Sequence, residues 1–251
     1  MSDTRDLNIY EEIPVSLDEF LNSERYLGKF TDNGNMIYPT VRQKLNELFA
    51  DDTNYVNVSL TGEAGTGKTT VAVLGTAYLL YRLLCLKNPQ EYWGFPQNNA
   101  ISIVFYNTLQ HLAMGLAYTK LHRALCASPW FLEHGTVSTE GYIITFEPGK
   151  NIVIDTAISA KGTLGKQVYA VILDECDYDK TKISEDDLKA ELLMVYSSLS
   201  ARVRSRFTRD SNVFGMLFAI SAKNNANNII TDNYLKDKSD TFAINLSKSD
   251  N

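Results

Sequence analysis

The sequence predicts an α/β fold in which a mainly parallel central sheet is flanked by helices. Short apolar runs rich in β-branched residues alternate with longer helical segments, an order typical of parallel sheets. Residues 101–106 and 168–173 are almost entirely apolar, as expected of strands buried on both faces. A length of 251 residues allows one large domain or two small ones. The composition, 44 % hydrophobic and 22 % charged, is that of an ordinary globular protein.

The first part of the chain is predicted to be helical. Ser16, with a glutamate three residues later, forms the sequence signature of a helix N-cap. Pro39 stands where a second helix could begin. Residues 1–15 are expected to be poorly ordered. The predicted organisation is a helical lead-in over residues 1–50, packed on a core formed by residues 51–251.

The strongest motif follows this lead-in. Residues 62–70 read Gly-Glu-Ala-Gly-Thr-Gly-Lys-Thr-Thr and match the phosphate-binding loop pattern G-x-x-x-x-G-K-[ST] at every fixed position. The glycines let consecutive N–H groups turn toward phosphates, and the N-terminus of the next helix adds partial positive charge. Lys68 is expected at the β- and γ-phosphates and Thr69 on Mg²⁺. The predicted nucleotide-binding residues are Gly62, Glu63, Ala64, Gly65, Thr66, Gly67, Lys68, Thr69 and Thr70.

The elements around this loop follow from hydrophobic patterning. Alternating apolar residues predict a strand before the loop, and an apolar run from Thr70 predicts a long helix after it. Ser128-Pro129 is expected to end a helix that begins near residue 108. The remaining predicted elements are a strand at 101–106, a hairpin at 142–146 and 151–157, a strand at 168–174, a helix at 188–203, and strands at 214–220 and 241–246.

An acidic pair, Asp174-Glu175, ends the strand predicted at 168–174. The carboxyl ends of parallel strands are where α/β sheets place their ligand groups. Asp174 is therefore predicted to hold Mg²⁺, directly or through water, as a Walker B acid. Glu175 is predicted to polarise the attacking water as general base, which indicates hydrolysis. The alternative is a strand that simply ends in solvated acids.

Two further groups are candidates for phosphate chemistry. Ser221 follows a third buried strand and is predicted to lie beside the γ-phosphate; the alternative is an ordinary serine turn. The basic residues could contact DNA or a neighbouring subunit's ATP, or complete a solvated helix end. They are Arg202, Arg204, Arg206 and Arg209, with Lys161 and Lys166 before the acidic pair.

Several classes of protein are disfavoured. Three separated cysteines and three dispersed histidines support neither a disulfide framework nor a zinc site, so a reducing, intracellular setting is expected. The polar start lacks the apolar run of a signal peptide, and no stretch reads as a membrane span. With a net charge of −6, any binding of nucleic acid must rest on a local basic patch. The aromatic residues between Tyr78 and Phe95 are predicted to be mainly packing residues.

These motifs together resemble the large terminase subunits of tailed bacteriophages. The resemblance is carried by the 62–70 loop, by Leu173-Asp-Glu, and by two more specific strings, Ser128-Pro-Trp-Phe and Arg202-Val-Arg-Ser-Arg-Phe. It implies a P-loop NTPase fold of the ASCE (RecA-like) type that hydrolyses ATP with Mg²⁺. The function that the resemblance implies is translocation of viral double-stranded DNA into the prohead. The implied setting is the host cytoplasm.

The resemblance also assigns residues and partners. Lys68 and Glu175 match catalytic positions, Thr69 and Asp174 the metal ligands, and Ser221 the coupling motif. Tyr38, Pro39 and Gln43 match the adenine-contacting motif loosely. The implied partners are double-stranded DNA, the portal protein, the small terminase subunit and further copies of the chain in a ring, with a monomer expected for the isolated domain.

The chain departs from the family pattern in two respects. The places where many terminases carry an arginine finger hold other residues, so Arg202, Arg204 and Arg206 are candidates for the arginine finger or a DNA contact. The 251 residues also leave no room for a C-terminal nuclease domain, so no DNA cleavage is expected. Two alternatives stay open: a helicase-like or AAA+-like ATPase acting on another nucleic acid or on protein, and a nucleotide-regulated binding module.

Overall fold

A computed structural model describes residues 7–51, 53–106, 115–135, 144–146, 150–157, 165–174, 176, 185–221, 231, 235 and 238–248. The strands are β1 Asn57–Gly62, β2 Ile101–Tyr106, β3 Ile144–Phe146, β4 Ile152–Ala157, β5 Gln167–Leu173, β6 Thr208–Arg209, β7 Asn212–Val213, β8 Met216–Ile220 and β9 Thr241–Leu246. The helices are α1 Leu17–Asn22, α2 Gly28–Thr31, α3 Pro39–Leu48, α4 Lys68–Leu84, α5 Pro89–Tyr92, α6 Leu116–Ala127, α7 Pro129–His134 and α8 Glu185–Arg206, preceded by a 3₁₀ turn at Leu7–Ile9.

The described strands form a seven-stranded sheet in the order β3-β4-β2-β5-β8-β1-β9, with β6 and β7 pairing separately. Every neighbouring pair in this sheet is parallel except β3 with β4, which is antiparallel. Strand β8 lies between β1, which leads into the glycine loop, and β5, which leads into the acidic pair. The mainly parallel sheet with helices around it confirms the predicted fold class.

Helices cover both faces of the sheet. On one face α1–α4, α6 and α7 pack in a cluster that includes Ile103 and Ile172. On the other face α8 contributes Val195, Leu199 and Val203 to a second cluster, which also holds the alternate strand residues. Because successive side chains of a strand point to opposite faces, the continuous apolar runs supply both clusters at once.

Aromatic rings fill the centre of the first face. Tyr81 lies with its ring centroid 4.9 Å from that of Phe20 and 4.7 Å from that of Trp130. All three side chains are buried. The lead-in helices, α4 and α7 therefore share one core. The Ser-Pro-Trp-Phe string is part of it: Ser128 caps α7 by accepting from the N–H of Phe131, which is also buried.

The expectation of a poorly ordered start is wrong for residues 7–15, which are fixed by contacts. The N–H of Val15 donates to the Tyr81 hydroxyl at 3.0 Å, and the Trp130 indole donates to Glu12 Oε2 at 2.8 Å. Tyr10 pairs with Leu86 in an isolated β-bridge. Sequence patterns did not indicate these contacts because they join positions far apart in the chain. Residues 1–6 lie outside the described part.

Most other predicted elements are present within the described ranges. Ser16 caps α1 by accepting from the N–H of Glu19, and α3 begins at Pro39. The helix expected from residue 108 is described only as α6. The β6–β7 hairpin was not predicted; its turn residues Asp210 and Ser211 both have positive φ. No helix in the described ranges is both long and apolar enough to cross a bilayer.

Candidate nucleotide site

The glycine loop connects β1 to α4 and has three left-handed glycines. Their φ angles are +128° at Gly62, +82° at Gly65 and +97° at Gly67. The buried hydroxyl of Thr66 donates to the carbonyl of Glu63 at 2.9 Å and closes the loop on itself. Positive φ values let a short loop turn its amides toward a common centre, as anion-binding loops require.

The N-terminus of α4 carries no capping group of its own. The helix has 17 residues, its N-cap is Gly67, no side chain caps it, and its first turn contains no acidic residue. The first N–H groups of a helix lack intrahelical partners, and the helix dipole places partial positive charge there. This end of α4 is therefore suited to bind an anion.

Lys68 turns back across the loop. Its ammonium group donates to the carbonyls of Gly62 at 2.8 Å and Glu63 at 2.5 Å, and the side chain is buried. Burial lowers the pKa of Lys68 below its ordinary value, while the nearby charges of Asp174 and Glu63 act in the opposite direction. Lys68 and Asp174 are more than a hundred positions apart in the sequence, yet in the fold they lie close enough for their charges to interact.

The ends of β5 and β8 lie beside the loop. The N–H of Ser221 donates to the carbonyl of Leu60 in β1 at 2.9 Å, and the N–H of Cys176 donates to the carbonyl of Ile220 at 3.0 Å. Ser221 is buried. The carboxyl edge of the sheet therefore gathers the glycine loop, Asp174 and Ser221. Glu175 lies outside the described residues.

The residues at this edge suit Mg²⁺ bound together with phosphates. Mg²⁺ prefers one or two carboxylates or hydroxyls, substrate phosphates and water to a cage made only of protein groups. Thr69 lies in the first turn of α4, and the effect of Asp174 on Lys68 indicates that this carboxylate is close to the loop. Among the described residues no three His, Cys, Asp or Glu side chains cluster as a separate metal site.

The lead-in contacts the loop at Gly67. A Cβ built on this glycine would lie 2.8 Å from Val41 Cγ2 and 3.5 Å from Tyr38 Cδ2. Tyr38 is 46 % exposed, whereas Gln43 donates to Glu47 within α3 at 2.7 Å. The segment around Tyr38 thus borders the loop.

One residue at the site was missed by sequence analysis. Lys120 in α6 donates to the hydroxyl of Thr70 at 2.7 Å. Burial lowers the pKa of Lys120. The two residues are fifty positions apart in the chain. Only the packing of α6 against α4 brings them together, and no local pattern in the sequence could indicate it.

The arginine group lies at the opposite edge of the sheet. Arg204 forms an ion pair with Asp240 at 2.6 Å, and Asp240 in turn accepts from Asn57 at the start of β1. Strand β1 has six residues, so roughly 17 Å separate this edge from the loop at its other end. Arg204 therefore serves a structural contact and does not reach the loop of its own chain. Arg202 is half-buried and Arg206 is exposed.

The lysines before the acidic pair were candidate phosphate contacts. Lys166 forms an ion pair with Asp155 in β4. Lys161 lies outside the described residues. The described lysine thus has a carboxylate partner within its own chain.

The fold and this edge of the sheet define a P-loop nucleotide-binding domain. The chain belongs to the family described as the N-terminal P-loop domain of the uncharacterized protein MJ0330, whose model matches residues 1–248. The comparison with curated proteins finds no match.

Two similar solved structures are both of large terminases, the class that the sequence motifs resemble. The HK97 bacteriophage large terminase is 15 % identical, with a TM-score of 0.45 over 73 % of this chain and 32 % of that one. The large terminase ATPase domain of Thermus phage P74-26, as a point mutant, is 12 % identical, with a TM-score of 0.37 over 80 % of this chain and 79 % of that one. The chain thus spans about a third of the HK97 protein. At such low identities and TM-scores the likeness carries no argument about activity or partners.

Proposed function

We propose that the chain hydrolyses ATP with Mg²⁺ at the glycine loop and uses the reaction to translocate double-stranded DNA. The observation that carries the ATPase part is the loop itself: an uncapped helix N-terminus behind three left-handed glycines, with buried Lys68 in the charge field of Asp174. The same constellation in a strand–loop–helix unit is the chemical requirement for binding a triphosphate.

Each group has a distinct role in this proposal. Lys68 exchanges its bonds to the loop carbonyls for oxygens of the β- and γ-phosphates. Thr69 and Asp174 hold Mg²⁺, which neutralises the charge of the phosphates when it is bound. Glu175 accepts a proton from the attacking water. A base positioned next to the water contributes typically about 10²- to 10⁴-fold to such a rate.

Ser221 is proposed as the coupling residue. Its backbone is bonded to Leu60 of β1, and its side chain is buried at the end of β8. A change at the γ-phosphate would therefore reach β8, the strand that joins the loop side of the sheet to the β5 side. The link from Ser221 through β8 to both neighbouring strands supports a motor role over the role of a module that only binds nucleotide.

The DNA part of the proposal rests on the sequence resemblance to large terminases. We extend it to a ring of subunits that works with the portal protein and the small terminase subunit, and to an arginine finger supplied by a neighbouring subunit. Exposed Arg206 is the candidate from the arginine group for a contact with DNA or a neighbour. The helical lead-in and ATPase core are proposed as one functional unit.

The ATPase proposal is tested by measuring steady-state hydrolysis and ATP binding for wild type and Glu175→Gln. We expect hydrolysis to fall by about 10²-fold or more while binding is kept. Glu133→Gln, an exposed change on α7, is the matched control and should alter neither quantity. Unchanged hydrolysis in Glu175→Gln would contradict the assignment of the base. Binding without hydrolysis in wild type would favour a nucleotide-regulated binding module.

The DNA proposal needs a second measurement, made with the same protein. Linear double-stranded DNA should stimulate ATP hydrolysis, and single-stranded DNA of equal length should not. Stimulation by the single strand alone would favour a helicase-like ATPase. No stimulation by either, together with active hydrolysis, would contradict the DNA role and leave the ATPase assignment intact.

A further inference from the structure

A cavity lies at the amino edge of the sheet, at the end opposite the glycine loop. Its volume is about 630 Å³, within the range of about 300–1,000 Å³ that small-molecule sites occupy. Its walls come from the C-terminal ends of α3 and α4, from α5, from the turn before β1, from the β6–β7 hairpin and from the start of β8. Arg82, which lines the cavity, follows Lys68 by fourteen residues in α4, so roughly 21 Å of helix separates the cavity from the loop.

Arg82 brings a positive charge to the cavity without a carboxylate partner. Its side chain is half-buried, and its guanidinium lies 5.9 Å from the centroid of the Tyr78 ring. No carboxylate of the described residues lies within ion-pair distance of it. Burial raises the pKa of Tyr169 to about 12, and the charge of Arg82 acts in the opposite direction, so the guanidinium lies near that buried hydroxyl.

The charge at Arg82 favours an anionic ligand. A guanidinium keeps its charge in proteins, so the cost of its partial burial remains until an anion pairs with it. Its planar fork of N–H donors matches two oxygens of a phosphate or a carboxylate. Two carboxylates of the chain, Asp51 and Asp210, also line the cavity, but both residues are exposed to water.

Aromatic rings line the same cavity. Tyr10, Tyr55 and Tyr92 come from three separate segments of the chain, and all three are half-buried. The guanidinium of Arg209 lies over the Tyr92 ring, 4.6 Å from its centroid. Rings beside guanidinium groups suit a ligand that has both an aromatic ring and a phosphate, since the rings can stack on the one and an arginine can bond to the other.

Contacts between distant segments fix the walls of this cavity. The N–H of Val213 in β7 donates to Asn54 Oδ1 at 3.3 Å, which joins the β6–β7 hairpin to the turn before β1. Tyr10 is held by its β-bridge with Leu86, just beyond α4. The tyrosines and arginines are therefore placed around one space by the fold itself.

We propose that this cavity binds a phosphate ester of an aromatic group, of the nucleoside monophosphate type, at a site separate from the glycine loop. Arg82 pairs with the phosphate, and the aromatic ring of the ligand packs against the tyrosines. The assignment depends neither on ATP hydrolysis nor on DNA binding, because none of its contacts comes from the loop or from the acidic pair.

The test measures binding of AMP by calorimetry, with inorganic phosphate and adenosine alongside. AMP has an aromatic base and one phosphate but lacks the β- and γ-phosphates that Lys68 is expected to bind. Arg82→Met removes the guanidinium and keeps an apolar stem, and Tyr92→Leu removes a ring. The matched control is Arg25→Met, at an exposed arginine outside the cavity.

Wild type should bind AMP more tightly than phosphate or adenosine, because only AMP offers both groups. Arg82→Met should weaken AMP binding by about tenfold or more, and Arg25→Met should stay within about twofold of wild type. Tyr92→Leu should weaken AMP binding by about fivefold or more and leave phosphate binding unchanged. Arg82→Lys keeps the charge but loses the fork; it should weaken AMP binding by about threefold and tests the same contact if Arg82→Met does not fold.

Lys68→Met separates this site from the glycine loop, and it should leave AMP affinity within about twofold of wild type. Loss of AMP binding in Lys68→Met but not in the Arg82 variants would overturn the proposal, because AMP would then occupy the loop. Absence of AMP binding in wild type would also overturn it and would leave the ATPase assignment intact. AMP binding that depends on Arg82, in a protein that fails to bind ATP, would support the cavity site while the proposed function failed.

Discussion

Two glycines of the same loop should respond very differently to alanine. A Cβ on Gly62 would lie 1.9 Å from the carbonyl oxygen of Leu246, whereas a Cβ on Gly65 would meet nothing within 4 Å. Both residues have positive φ, and the motif pattern alone does not distinguish their environments. The pair therefore separates the cost of a close backbone approach from the cost of the left-handed conformation.

The magnitudes follow from these contacts. Gly65→Ala should lose about 1–2 kcal/mol of unfolding free energy, the cost of an L-residue in the left-handed region. Gly62→Ala carries a similar cost and also forces β9 away from β1 at the last pair of their ladder, Gly62↔Leu246. Overpacking adds about 1–3 kcal/mol, and loss of the 3.3 Å bond from the N–H of Glu63 to Leu246 adds about 1 kcal/mol. The total for Gly62→Ala is about 3–6 kcal/mol.

Urea unfolding, followed by circular dichroism, measures both variants against wild type. Alanine also reduces the entropy of the unfolded chain, but it does so equally at both positions, so the difference between the variants is the informative quantity. The midpoint should fall further for Gly62→Ala, with similar slopes. Equal destabilisation of the two variants would refute the close approach of β9 to the loop.

Three other changes are expected to have separate effects. Lys68→Met should weaken ATP binding by about tenfold to a hundredfold, because a hydrogen bond to a charged group contributes about 1.5–3 kcal/mol. Arg204→Met should lower the unfolding free energy by about 1 kcal/mol or less, since it breaks a partly exposed pair with Asp240, and should leave ATP binding unchanged. Glu11→Gln removes the pair with Lys150, which holds the pKa of Glu11 below its ordinary 4.5. The substitution should lower the unfolding free energy by up to about 1 kcal/mol at pH values above 4.5. This loss should disappear as the pH falls through the lowered pKa, because Glu11 is then protonated in the wild type as well.

Each of these expectations has its own control. Lys87→Met, an exposed lysine between α4 and α5, should bind ATP as wild type does; a similar loss there would indicate a general charge effect. Weaker ATP binding in Arg204→Met would contradict the conclusion that Arg204 lies too far from the loop to contact the nucleotide. The Glu11→Gln difference is measured by urea unfolding at neutral and strongly acidic pH. A difference that persisted at low pH would contradict an ionic origin.

The elements of the fold follow largely from local patterns. The positions of β1, α4 and β5 were indicated by hydrophobic patterning to within one or two residues, and the start of α3 by Pro39. The P-loop class was evident from residues 62–70 because its chemistry depends on consecutive residues, with glycines at fixed positions and a lysine directly after them. Asp174 was predicted for a related reason, since a buried strand must end at an edge of the sheet.

Other features depended on contacts between distant parts of the chain. The motif strings that contain Trp130 and Arg204 supported the resemblance to large terminases. In the structure Trp130 is part of the core, and Arg204 forms an ion pair at the far edge of the sheet. The start of the chain gave no sign that Glu12 and Val15 would bond to Trp130 and Tyr81.

The sequence by itself determined that a nucleotide site exists, because a phosphate loop is built from neighbouring residues whose types and spacing are visible in one stretch. The tertiary structure alone decided which strand lies between β1 and β5. It also decided where Ser221 meets the loop strand, and that Lys120 joins the site through Thr70. Strand order and helix packing arise from burying both faces of the sheet at once, and that requirement involves the whole chain.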